Sequence, residues 1–230
     1  ILGSERAVVW DTLSHPRDML PIAPLVKDRP LTVVYSHADW DHAWGTAGLP
    51  PYQEVVAHQA CLERFKQDVP VTLQEKQSTQ PGEWVEVVLV PPTRVFQDEL
   101  TLDLGDITLV LSHLPGHTRD CLVGLIPAWG VLLAGDTVET PFPILNEGEF
   151  LDIWLARLET WANDPRVHSV IPAHGPIGGR ELIQRNLKYL QGLYKASSEI
   201  PTNLSDFYRE VHQANLRHAQ KLPPRFYPLY

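Results

Sequence analysis

Short apolar runs rich in β-branched residues recur along this chain, and they narrow its fold more than any other feature. They lie at Ala7 to Trp10, Leu31 to Tyr35, Glu54 to Ala57, Val85 to Val90, Ile107 to Leu111, Cys121 to Ile126, Val131 to Ala134 and Val167 to Ile171. Each is bounded by Gly, Pro, Asp or Ser, which reads as strand. "DLGD", Asp103 to Asp106, predicts a turn between Leu100–Leu104 and the run at Ile107, and "PAWG", Pro127 to Gly130, predicts another. Between and after the strands the apolar period changes to three and four. From Glu149 to Ala162 the set Leu151, Trp154, Leu155, Leu158, Trp161 and Ala162 makes one helical stripe, and Leu182 to Tyr194 makes a second. Ser205 to Gln220 reads as a third helix with Ser205 as N-cap. The polar stretch Gln74 to Gly82 reads as a surface excursion. Strands first and in mid-chain, with helices between and after them, predict an α/β sandwich with helices outside two packed sheets.

At 230 residues the chain suits one domain, 1–230, with a helical C-terminal portion over 178–230. A chain of this size buries roughly 70% of its unfolded surface, so a core forms without staples. The two cysteines, Cys61 and Cys121, are too few for a disulfide framework and form no C-x-x-C pair. The net charge of −9, with no clustered Lys and Arg, argues against a nucleic-acid partner. No apolar run reaches the roughly 18 residues that span a bilayer, so no membrane partner is expected. The chain opens at Ile1, with strand, turn and strand already under way, so an N-terminal part upstream of residue 1 is expected. A cytoplasmic location is expected, with an upstream targeting segment left open.

Chemistry concentrates where the strand runs stop. Directly after Leu31–Tyr35, "SHADWDHAWG" places His37, Asp39, Asp41 and His42 within six residues. Burying that many polar groups without partners costs several kcal/mol, so they face water or a cation. Three further runs follow the same pattern, an apolar segment and then a ligand-capable side chain in a glycine-containing loop. These are His117 in "LPGHTRD", Asp136 in "VLLAGDTV" and His174 in "VIPAHGP".

In this order, "HADWDH", "GHT", "GDT" and "AHG", together with Asp11 at an early strand end, resemble the metallo-β-lactamase fold superfamily of metal-dependent hydrolases over nearly the whole chain. The resemblance implies a four-layer αβ/βα sandwich with two divalent metal ions along one edge of the sheets. It implies His37, Asp39 and His117 as ligands of one ion, Asp41, His42 and His174 as ligands of the other, and Asp136 bridging them. Asp41 and Asp136 are the implied catalytic residues, and the implied chemistry is attack of a metal-bridging hydroxide on an ester, thioester or lactone carbonyl, with phosphoesters a further candidate. "GHT" and "GDT" lie nearest the glyoxalase II and lactonase branch. Asp11 and Thr118 are candidates to support the ligands, and His58, Trp40 and Phe142 are candidates to line the substrate site.

One position departs from the family's H-x-H-x-D-H pattern, because Asp39 stands where an imidazole is usual. A third carboxylate lowers the formal charge of metals plus ligands by one. Zinc is the metal of the family, whereas the added hard oxygen donor favours manganese or iron. An iron-dependent oxidoreductase on the same fold is therefore the rival reading, and a non-catalytic binding protein with an altered site is a second. A small-molecule substrate and a homodimer are the expected partners.

Overall fold

The computed structural model describes residues 1–146, 148–194 and 200–220. The early apolar runs become a parallel sheet. Strands β1 (Ala7–Trp10), β2 (Leu31–Val34), β3 (Glu54–His58) and β4 (Arg94–Phe96) pair in the order β1-β2-β3-β4. Every residue of β2 is buried, which accounts for a run with no polar alternation: both faces of a parallel strand are covered. Helices α1 (Ala23–Val26), α2 (Trp40–Ala43), α3 (Gln59–Lys66) and α4 (Asp68–Thr79) lie in the connections. Strands β5 (Glu99–Asp103), β6 (Thr108–His113) and β7 (Leu122–Ile126) follow and pair antiparallel. Gly105, at φ +102°, turns the chain from β5 to β6, and its N–H donates to Asp103 Oδ1 at 2.9 Å.

These elements form one compact unit, Ile1–His113 with Asp120–Trp129; a second comprises Leu114–Arg119 with Gly130–Tyr230. In the second, β8 (Val131–Gly135) and β9 (Ser169–Pro172) pair in parallel beside α5 (Leu151–Asn163), α6 (Arg180–Tyr194) and α7 (Asp206–Gln220). On α5 the buried residues are Leu151, Trp154, Leu155, Leu158 and Ala162, five of the six in the expected stripe. Ser205 caps α7, its Oγ accepting the Tyr208 N–H at 3.4 Å. Asn215 anchors that helix: its Oδ1 accepts the Leu145 N–H at 2.8 Å, and its Nδ2 donates to Pro143 O at 2.9 Å and to Tyr189 Oη at 3.0 Å. Residues 221–230 of the expected C-terminal portion lie outside the described residues.

The architecture is the expected α/β one, with two sheets flanked by helices. Two local expectations are corrected. Val85 to Val90 is not a strand; Val87 is buried and Leu89 and Val90 pack against the core, while Val85 and Val88 are 70% and 61% exposed, so the run anchors a loop to the core. The fourth strand of the sheet is Arg94–Phe96 instead. The polar stretch from Gln74 begins inside α4, a helix with one buried residue, Val69, and so without an apolar stripe to read.

Candidate metal centre

In the first unit, β2 delivers the chain to His37, and α2 begins directly after Asp39, so Asp41 and His42 fall in its first turn. The His37 and His42 rings lie 4.1 Å apart, and both are buried. Their Nδ1 atoms are held from behind. The Nδ1–H of His42 donates to Asp11 Oδ2 at 2.9 Å, and that of His37 donates to Ser36 Oγ at 3.0 Å. Ser36 is itself fixed by Asp11, which accepts its N–H at 2.6 Å and its hydroxyl at 2.8 Å. Asp11 reaches His42 directly and His37 through Ser36, from a left-handed backbone, φ +57°, at the end of β1. With Nδ1 committed, each Nε2 is directed forward as a lone-pair donor, as metal-binding histidines require. His37 Nε2 lies 3.5 Å from Asp39 Oδ2, and His42 Nε2 lies 3.9 Å from Asp41 Oδ1.

The other Asp39 oxygen meets a residue that sequence reading missed. Arg64, buried on α3, places Nη2 at 2.7 Å from Asp39 Oδ1 and 2.9 Å from Asp68 Oδ2, and Nη1 at 3.0 Å from Asp120 Oδ1. Asp120 is fully buried, and its other oxygen accepts the Ala38 N–H at 2.8 Å. Burial alone lowers the Arg64 pKa, but the Asp120 and Asp39 charges and the bond to Asp68 hold it above its ordinary value, so the guanidinium stays charged. The carboxylate at position 39 therefore shares a buried counter-charge with Asp120 and Asp68.

In the second unit, Asp136 follows β8 and His174 follows β9. His117 sits in the Leu114–Arg119 segment behind Gly116, which packs on the indole of Trp154. The Nδ1–H of His117 donates to Ile144 O at 2.9 Å, and its Nε2 accepts from Asn146 Nδ2 at 3.2 Å and lies 3.6 Å from Asp136 Oδ2. His174 Nε2 lies 3.6 Å from Asp136 Oδ1. Glu139, not singled out in the sequence, is 1% exposed, and a ligand atom of each of His117, Asp136 and Glu139 lies within 4.8 Å of the others. Burial, and then the Asp136 charge, push its carboxyl pKa up to about 8. Asn186 grips its backbone, accepting the Glu139 N–H and donating to its carbonyl, both at 2.9 Å. "GDTVET" carries the only sequence signal, a carboxylate three residues past Asp136.

Both donor sets suit a divalent metal. Two donors of one tetrahedral zinc lie about 3.3–3.6 Å apart at ordinary bond lengths. The pairs His37–Asp39, His117–Asp136 and His174–Asp136, at 3.5, 3.6 and 3.6 Å, have that spacing and are too long for good hydrogen bonds. Asn146 is exposed and can swing away from the His117 lone pair.

The remaining candidates have other employment. His58 caps α3, accepting the Ala60 N–H at 3.2 Å, and stacks on His113 at 3.6 Å; burial first, and then His113, lower its pKa to about 4. Phe142 does not form an open substrate wall, because it is buried at 1% exposure, stacked on Tyr189 at 4.3 Å and edge-on to Tyr208. Trp40 is half-buried beside the ligands, edge-on to Trp84, with the Lys76 ammonium 3.8 Å over its ring. Thr118 is buried, and its carbonyl accepts the Gly116 N–H at 3.1 Å.

Backed imidazoles and carboxylates at the strand ends of an α/β chain are the arrangement that metal-dependent hydrolases present. Residues 1–226 match the family model of the metallo-beta-lactamase superfamily, and the chain belongs to that superfamily. It is similar to the acyl-coenzyme A thioesterase MBLAC2 of Gallus gallus, 27% identical over 209 residues, which cover 80% of this chain and 74% of that one. The Homo sapiens protein of the same name is 27% identical over 219 residues, 80% of this chain and 75% of that one. Among solved structures, a metallo-beta-lactamase from Pontibacter korlensis matches with TM-score 0.61 and 21% identity, covering 83% of this chain and 85% of that one. The sec-alkylsulfatase Pisa1 from Pseudomonas sp. matches with TM-score 0.68 and 16% identity, covering 95% of this chain and 46% of that one. Among the described residues no helix is long and apolar enough to cross a membrane.

Proposed function

We propose that the chain is a dinuclear metal-dependent hydrolase of acyl thioesters, with acyl-coenzyme A the first class to test. The observation that carries this reading is the backing of the imidazoles: Asp11, Ser36 and Ile144 O occupy Nδ1 of His42, His37 and His117, leaving Nε2 beside a carboxylate each time. The thioester class rests on the MBLAC2 relatives, matched over 80% of the chain. On this reading His37, Asp39, Asp41, His42, His117, Asp136 and His174 are the residues that would hold the ions. Divalent ions bound there supply Lewis acidity toward the carbonyl oxygen and raise the acidity of water.

The chain's own residues do the rest. Asp41, with its side chain 26% exposed, orients the attacking water and accepts its proton. Water adds to the carbonyl carbon, the C–S bond breaks, and the thiolate leaves to take a proton from solvent. Asp11 and Ser36 keep the His37 and His42 rings from rotating. Zinc is the metal this arrangement favours, since Arg64 holds one Asp39 oxygen and offsets part of its charge. The test is release of free thiol from acyl-coenzyme A esters of several chain lengths, run beside lactone and phosphoester panels with zinc, manganese and iron forms. Thiol release that is lost in Asp136→Asn supports the reading. Turnover of lactones or phosphoesters alone, or turnover untouched by complete metal removal, overturns it.

A further inference from the structure

The environment of Asp39 carries an inference that rests on the metal-centre reading above. Asp39 Oδ1 is engaged by a guanidinium at 2.7 Å, while Oδ2 faces His37 Nε2 at 3.5 Å. The same guanidinium uses its other arm on Asp120 at 3.0 Å, and Asp120 fixes the Ala38 N–H at 2.8 Å, one residue before Asp39. One fork therefore holds both the side chain of residue 39 and, through Asp120, the backbone that carries it. Arg64 is 9% exposed and cannot be deprotonated, so this is a permanent, desolvated contact rather than a surface ion pair. Planar two-armed geometry of this kind is what arginine provides and lysine does not.

We propose that Arg64 is the positioning residue that turns Asp39 into a surrogate imidazole. With Oδ1 tied to Arg64, Asp39 has a single oxygen for a cation, as histidine has a single nitrogen. The guanidinium, which Asp120 and Asp68 share, offsets part of the Asp39 charge and moves this donor toward the neutrality of histidine. A one-point donor favours a small four-coordinate ion, whereas a carboxylate free to chelate with both oxygens favours larger ions of higher coordination number. The Arg64–Asp39 pair thus sets metal preference, and neither member works with the other replaced singly.

The test is metal retained per chain after equilibrium dialysis against buffered zinc and manganese, read by plasma mass spectrometry with no turnover assay. Removing a partner that orients a ligand typically costs about 10–100-fold in metal affinity. R64M is expected to weaken zinc at one site by that factor and to lower the zinc-to-manganese ratio about tenfold, with R64K in between. D39H, which restores the residue usual in the family, is expected to weaken zinc as well, because it leaves Arg64 pressed against an imidazole. The double variant D39H/R64M is expected to bind zinc more tightly than either single variant. A purely structural arginine predicts the opposite, a double variant no better than R64M. If R64M fails to fold by circular dichroism, D39H alone decides: zinc binding equal to or tighter than that of the unmodified protein overturns the proposal. An unmodified protein that retains no metal overturns instead the metal-centre reading on which it rests.

Discussion

Replacing Gly116 by Ala pushes a methyl group into the indole that supports the His117 loop. An ideal Cβ at Gly116 falls 2.2, 2.3 and 2.7 Å from Cδ2, Cγ and Cε3 of Trp154. Carbon atoms settle at about 3.5–4.0 Å, so ring or loop must yield by more than about 1 Å. Neither yields easily. Trp154 is fully buried on α5, and its indole N–H donates to Thr137 O at 3.1 Å, one residue past Asp136. Overpacking of this kind costs about 1–3 kcal/mol, and the upper end applies because the colliding atoms are a rigid ring and a backbone-borne methyl. For a protein of this size that lowers Tm by roughly 6–12 °C. The displacement reaches His117 directly and Asp136 through Thr137, so metal retention falls with it. Thermal melts with and without zinc, beside metal content after dialysis, check this. A G116A protein melting within about 2 °C of the unmodified one, with unchanged metal content, refutes the packing role assigned to Gly116.

Other expectations concern the supports around the ligands. Asp11→Asn preserves a residue type that tolerates the left-handed backbone at φ +57° but removes the charge behind His42; metal titration should show about 10–100-fold weaker binding with little change in Tm. The depressed His58 pKa, about 4 against an ordinary 6.5, means the unfolded chain binds a proton the folded chain refuses. Its contribution to stability is present above pH 6.5 and is lost as pH falls from there toward 4. In H58N, where Asn can still cap α3, that part of the pH dependence should flatten in denaturant titrations, and an unchanged slope contradicts the assignment. Asn215→Ala strands the Leu145 N–H and the Pro143 carbonyl in a buried place, so equilibrium unfolding should show a loss of about 2–4 kcal/mol.

The parts of the fold that the sequence revealed are those where local pattern and tertiary context agree. β2 reads as a strand because all its residues are buried, and α5 reads as a helix because one stripe of it is. The run at Val85 is not a strand because hydrophobicity alone does not require pairing; that segment buries Trp84 and Val87, packs Leu89 and Val90 against the core, and leaves Val85 and Val88 in water. At the candidate site, the clustered His and Asp side chains after apolar runs are legible because their spacing is local. Arg64 was not visible, since its partner Asp120 lies 56 residues away and a single arginine in a polar helix carries no periodic signal. A carboxylate at position 39 read by itself implies a site of altered charge; Arg64, shared with Asp120 and Asp68, offsets part of that change and holds one of the two Asp39 oxygens.

The most direct test of the metal-centre reading is metal analysis by plasma mass spectrometry on protein purified without added metal, repeated on the His37→Ala and His174→Ala variants. Two divalent ions per chain, falling to one or none in each variant, is the predicted result. A protein that carries no metal, takes up none on dialysis against zinc, manganese or iron, and still hydrolyses acyl-coenzyme A would contradict it.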